Sequence, residues 1–313
     1  MSFDGCREIY INPYTDFGFK KLFGTDLNKD LLISFINALL EGREHIEDLT
    51  YLNTEHLGIR EMDRKAVFDV YCENDKGEKI LIEMQKGEQQ FFKDRSLYYA
   101  TFPIKDQAEK GRGWNYELKA VYVIGILNFT LDDKHPNYYR REVKLMDTKL
   151  KEVFYDKLTF IYLEMPKFNK GEDELKTLFD KWLFVLKNLG RLQERSKALQ
   201  ERIFTKLFAA AEIAKFSQEE YYAYEESLKV YRDWFSVIQT AEKKGMTKGR
   251  KEGLKEGLEE GRKEGRKEGL EEGLKKGRQE GLLVVARNLK RQHLSAEDIA
   301  AATGLSKEEI EAL

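Results

Sequence analysis

Ten glycines stand at every fourth position from Gly245 to Gly281, without a miss, and they divide the chain. A collagen-like structure is excluded, because that needs glycine at every third position. As a helix, the run would sacrifice about 1 kcal/mol per glycine relative to alanine, on the order of 10 kcal/mol in all. Glu→Lys pairs three residues apart, Glu252 with Lys255, Glu260 with Lys263 and Glu264 with Lys267, are expected to return part of that. Four helical residues turn through about 400°, so a glycine stripe drifts about 40° per repeat and forms no straight seam. Two helices could approach closely only over two or three consecutive glycines, beside Leu254, Leu258, Leu270 and Leu274. Residues 241–281 carry 13 basic and 10 acidic side chains, too balanced to track a phosphate backbone. Two readings stay open: a solvated, partly helical spacer, and a helix through which copies of the chain associate. In both, the globular core must come from the residues before 241.

Those residues can supply one. The chain of 313 residues is 41% hydrophobic and 12% aromatic, which rules out wholesale disorder. A net charge of −2 excludes a protein that coats nucleic acid by bulk positive charge, so any such contact comes from a local patch. Two cysteines, Cys6 and Cys72, make no disulfide framework and suggest a reducing compartment. The N-terminus is charged from Asp4 onward and has no apolar signal core. The longest apolar run, Ala120 to Leu127, suits a buried strand and is far too short for a membrane span. A soluble, cytoplasmic protein with no membrane partner is expected.

The pattern before 241 is mixed α/β. TDFGFKKLFG and NKDLLISFINALLEG read as helices from their three- and four-residue apolar spacing. A short strand is expected at Leu49 to Leu52. KAVFDVYCEN and KILIEMQK read as two strands of a hairpin joined by DKGE. QQFFKDRSLYYATFPIKDQAEKG reads as a helix disturbed at Pro103, and ELKAVYVIGILNF as a fully buried strand. REVKLMD and LTFIYLEMP are two later strands, and helices are expected from Asp173 to about Ala241.

The chemistry lies in the hairpin. Glu83 and Gln85 share one face of their strand, with Ile82 and Met84 on the other. Closing the hairpin brings Asp69 beside Glu83 with converging carboxylates. Two carboxylates and an amide that interrupt an apolar strand pattern are costly unless they are paired or bind a metal. Oxygen ligands favour Mg²⁺ or Mn²⁺ over Zn²⁺. The alternative is a half-exposed hairpin whose polar residues face water. Arg95 and Tyr99, four apart, share a face of the following helix and could hold a phosphate; ordinary surface and core roles are the alternative. The four histidines show no metal-ligand spacing, and no phosphate-binding glycine loop is present.

With helices before the hairpin, a helix after it and then an apolar strand, the order matches a PD-(D/E)XK (restriction-endonuclease-like) core. The sequence resembles the Rpn family of recombination-promoting nucleases, also described as PD-(D/E)XK nuclease family transposases. The residues that carry the resemblance are TDFGFKKLFG at Thr15 to Gly24, MDRKAVFDVYCENDKGEKILIEMQ at Met62 to Gln85, and RSLYYA at Arg95 to Ala100. The resemblance implies a metal-dependent DNA endonuclease linked to recombination, mobile elements or phage defence. Asp69 and Glu83 correspond to the motif's acids, and the carbonyl of Met84 is an extra candidate ligand for Mg²⁺ or Mn²⁺. Gln85 stands at the motif's Lys position, where an amide would orient the attacking water. The resemblance also places Asp16 near the metal; an acid at a helix start is its plainer reading. The rival is a catalytically inactive nuclease fold serving as a DNA-binding or regulatory protein.

The expected organisation is a nuclease core over 1–170, a helical region over 171–240, the glycine repeat over 241–281 and a helix-turn-helix-like association module over 282–313. Ser295-x-x-Asp298 and Ser306-x-x-Glu309 mark helix starts around Gly304. The last helix is acidic, which favours protein contact over base reading. Homo-oligomerisation through the C-terminal helix is expected. By the resemblance, a short C-terminal product could begin at Met246.

Overall fold

The structure, a computed structural model, describes residues 8–43, 45–56, 66–108 and 115–313. Cys6, and Met62 to Lys65 of the block that carries the resemblance, lie outside the described residues. The chain forms two compact units, Met1–Phe235 and Ser236–Leu313.

In chain order, helices α1 (Asp16–Phe23) and α2 (Lys29–Leu39) precede strands β1 (Leu49–Tyr51), β2 (Glu55–His56), β3 (Ala66–Val67), β4 (Val70–Asn74) and β5 (Lys79–Gln85). Helix α3 (Phe92–Lys105) is followed by β6 (Val121–Leu127), β7 (Arg140–Asp147) and β8 (Glu152–Glu164). Helices α4 (Leu178–Asn188), α5 (Arg202–Ala211), α6 (Gln218–Arg291), α7 (Ala296–Thr303) and α8 (Lys307–Glu311) complete the chain.

Six strands form one mixed sheet in the order β1-β4-β5-β6-β8-β7. Its centre, β5-β6-β8, is parallel, and the flanking pairs are antiparallel. Central parallel strands are covered on both faces, which is why β6 reads as an unbroken apolar run. On one face, Ile80, Ile82, Ile124 and Ile161 pack in a core with Phe19, Phe35, Trp182 and Phe204 from the helices. On the other, Leu81, Val123 and Phe160 pack with Phe92 and Ala100 of α3. Trp182 is fully buried, donates from Nε1 to Ser34 Oγ at 3.2 Å, and lies 5.1 to 5.9 Å from the rings of Phe204, Phe23 and Phe35.

Local chemistry sets the element ends. Thr15 caps α1 by accepting the Gly18 N–H at 3.0 Å. In the β4–β5 turn, Asn74 Oδ1 accepts from the Lys76 and Glu78 N–H groups at 3.1 and 2.9 Å. Gly77 takes φ +79° there, a conformation that penalises a Cβ. KAVFDVYCEN is not a single strand, however. It breaks at Phe68–Asp69: β3 pairs with β2 in a separate ribbon, and the Phe68 N–H goes to Thr54 O at 3.0 Å.

In the second unit, the glycine run is helical and lies within α6. Among the described residues, a Cβ added at any of its ten glycines would meet nothing within 4 Å, and Leu254, Leu258, Leu270 and Leu274 are exposed. The ion pairs formed are Lys248–Glu252, Glu259–Lys263 and Glu272–Lys276, four apart rather than the three-apart pairs expected. On a helix, four residues turn only 40° past a full circle, so such side chains lie one above the other. All three pairs are exposed and contribute little. Ser295 and Ser306 cap α7 and α8, and Gly304 between them has φ +72°. Ala286, Ile299, Leu305 and Ile310 form a small core there. Among the described residues, no helix is long and apolar enough to cross a membrane.

Candidate active site

The last β4–β5 pair is Val70 with Ile82. Beyond it, the Met84 N–H has no strand partner on that side among the described residues. The bend at Asp69 supplies one: Asp69 Oδ2 accepts the Met84 N–H at 2.7 Å. A carboxylate thus replaces the carbonyl that a continuing strand would have offered, and the break in the strand places Asp69 beside Glu83.

Glu83 and Gln85 share the α3 face of β5. Gln85 Nε2 donates to Glu83 Oε2 at 2.8 Å. The other oxygen, Glu83 Oε1, is buried and has no hydrogen-bond partner among the described residues. Burial, followed by the nearby Asp69 charge, pushes the Glu83 carboxyl up to about 8. Arg95, the Asp69 backbone N–H and Gln85 oppose that rise. Burial also raises Asp69; the Met84 N–H opposes this, the Asp16 charge adds to it, and Lys20 and Lys86 act against it.

Arg95 and Tyr99 come to the same pocket as Glu83 and Gln85. The Arg95 guanidinium lies 5.4 Å from the Tyr99 ring centroid and also hydrogen-bonds Gln89. Burial and then the Glu83 charge raise the Tyr99 hydroxyl. Asp16 is placed differently. Its half-exposed carboxylate turns along its own helix to Lys20, at 3.1 Å. Its charge is felt at Asp69, but among the described residues no three His, Cys, Asp or Glu side chains group as metal ligands.

The family model for PD-(D/E)XK nuclease family transposases matches residues 13–241. The chain belongs to that family. No curated protein and no solved structure matches it. The PD-(D/E)XK match ends at Ala241, before the first glycine of the ladder, so the repeat and the C-terminal helices lie outside it.

Three further residues of this pocket carry no clear signal in the sequence. Gly125 is paired with Glu83 on one side and Tyr162 on the other. A Cβ at Gly125 would come within 3.0 Å of the Tyr162 ring, so its missing side chain leaves the space beside Glu83. A lone glycine inside an apolar strand was the available signal. Ser96 and Tyr162 join their hydroxyls at 2.7 Å across the pocket, a pairing 66 residues apart with no local signature. Gly125→Val is expected to fill the pocket floor and lower any cleavage about ten-fold or more, while the chain stays folded. Circular dichroism beside a plasmid assay checks both halves of that expectation.

Proposed function

We propose that this chain is a metal-dependent DNA endonuclease that hydrolyses phosphodiester bonds, in keeping with the recombination, mobile-element or defence roles that its family suggests. The observation that carries the reading is the buried, unpartnered Oε1 of Glu83 beside Asp69. Two carboxyl groups whose ionisation is opposed by burial, and in Glu83 also by the Asp69 charge, fit a divalent cation, which supplies the missing charge. Asp69, Glu83 and the Met84 carbonyl would hold it. In a strand, a residue's carbonyl points to the same side as its N–H, and the Met84 N–H goes to Asp69. All-oxygen donors favour Mg²⁺, with Mn²⁺ the alternative. When bound, such an ion polarises a phosphate and makes a nearby water more acidic.

The chain's own groups do the rest. Gln85 gives its amide N–H to Glu83, leaving its carbonyl oxygen to accept from, and so orient, the attacking water. Arg95 carries positive charge at the pocket, where a phosphate would sit. Tyr99 holds the guanidinium plane by stacking beneath it.

Calorimetric titration of Mn²⁺ into the purified full chain tests the reading against an inactive nuclease fold. One site per chain is expected, lost in Glu83→Ala; equal binding by both proteins would contradict the assignment. Gln85 is tested separately. Gln85→Lys should keep more cleavage than Gln85→Leu, because an ammonium can still orient a water and an isobutyl group cannot. Equal rates for the two variants would remove Gln85 from the mechanism.

A further inference from the structure

Beside the pocket, a bulky residue holds a backbone conformation that favours glycine. Phe91, at the N-terminal end of α3, has φ +66°, and the residue is 69% exposed. Contacts within the chain therefore do little to offset the strain. Seven residues on, Tyr98 is 46% exposed, its ring meeting Phe102 edge-on at 5.1 Å. Arg95 stands between them: its N–H closes the first turn on the Phe91 carbonyl at 3.0 Å. One face of α3, with Phe92, Arg95, Ser96 and Tyr99, lines the Glu83 pocket. Seven residues apart and so on one side of the helix, Phe91 and Tyr98 run along one edge of that face, about two turns apart, with Arg95 between them. The helix carries Lys93, Arg95 and Lys105 against Asp94, so it is locally basic in a chain whose net charge is −2.

We propose that Phe91 and Tyr98 are stacking platforms for unpaired nucleobases on either side of the phosphate that enters the Glu83 pocket. The substrate class is then single-stranded or locally opened nucleic acid rather than intact duplex. Aromatic rings interleaved with a cation are the arrangement that holds a single strand without reading its sequence, since every base has a π-face. Seven helical residues span about 10 Å, close to three stacked nucleotides at about 3.4 Å each. In a duplex, the bases are already stacked on each other and are closed to both rings. The proposal rests on the nuclease reading for the phosphate, but the stacking itself is measured without cleavage.

The test uses the full chain with Ca²⁺ in place of Mg²⁺. Fluorescence anisotropy follows binding of a labelled mixed-sequence 20-nucleotide single strand and of its duplex. The wild type is expected to bind the single strand more tightly. Phe91→Ala and Tyr98→Ala should each weaken single-strand binding about ten-fold and duplex binding less than two-fold. Phe91→Trp should retain the affinity, and melting curves should show all variants folded, because both rings are exposed. A 2-aminopurine in the strand should be quenched by wild type and not by Phe91→Ala. Three results would overturn the proposal: single-strand affinities within two-fold of wild type in both alanine variants, equal losses on strand and duplex, or no single-strand binding. The last would assign the exposed rings to a protein partner instead. Ring-dependent strand binding without cleavage in Mg²⁺ would sink the nuclease reading alone; cleavage that is indifferent to both rings would sink this one alone.

Discussion

Glu83→Gln is expected to reduce metal-dependent DNA cleavage by at least about 10²–10³-fold, the scale of removing one electrostatic contact to a reacting group. The same variant should make the metal-free protein more stable at pH 8. In the wild type, the folded state keeps a proton on Glu83 up to about pH 8, whereas an ordinary glutamate releases it near pH 4.5. Between those values the native state binds more protons than the unfolded state, so stability falls as pH rises. The slope for one proton is about 1.4 kcal/mol per pH unit. Gln has no proton to lose, so the two proteins should converge near pH 4 to 5 and separate as pH rises, with the variant the more stable. Urea denaturation from pH 5 to pH 8 in EDTA reads this directly. Adding Mg²⁺ should then raise the wild type's midpoint and leave the variant's unchanged, because a ligand stabilises only the state that binds it. Parallel pH profiles for the two proteins would show that Glu83 is neither buried nor paired as described.

Trp182→Ala is expected to have the largest effect on stability, a loss of about 3–5 kcal/mol. The indole is fully buried where α2, α4 and α5 meet the sheet, and three phenylalanine rings surround it. Truncation opens a cavity between rings that cannot collapse into it, and strands the Ser34 hydroxyl that accepts from the indole N–H. Trp182→Phe, which keeps most of the volume, should cost less than half as much. Chemical denaturation of the first unit's transition compares the two; equal costs would mean that the site relaxes freely.

The central sheet was legible because parallel strands leave an unbroken apolar signature, as in Val121–Leu127, and because DKGE with Gly77 forces a tight hairpin. Glu83 and Gln85 were legible for the same reason: polar groups alternate into an apolar strand, which fixes their shared face. The break at Phe68–Asp69 was not legible. β-propensity in VFDVY favours one strand, and the ladder is interrupted by a side chain bonding to Met84, fifteen residues away. Asp16 was readable as an acid at a helix start; its turn toward Lys20, four residues on, is the local pairing that this position allows. Gly125 was visible only as an oddity in an apolar run, since its use depends on the ring of Tyr162, its partner on the neighbouring strand but 37 residues away in sequence. In the C-terminal unit, caps at Ser295 and Ser306 were readable because capping is local. The helicity of the glycine ladder was not, because propensity argues against it and nothing in its own packing offsets the cost.

On the proposed reading, Asp69 and Glu83 form the metal site of a DNA-cleaving enzyme. The most direct measurement is incubation of supercoiled plasmid with purified full-length chain in Mg²⁺ or Mn²⁺, wild type beside Asp69→Ala. The wild type should nick the plasmid, which negative supercoiling opens locally, EDTA should stop the reaction, and Asp69→Ala should leave the plasmid supercoiled while showing the wild-type circular dichroism spectrum. Cleavage by folded Asp69→Ala at the wild-type rate, or an intact plasmid with the wild type in both metals, would contradict it.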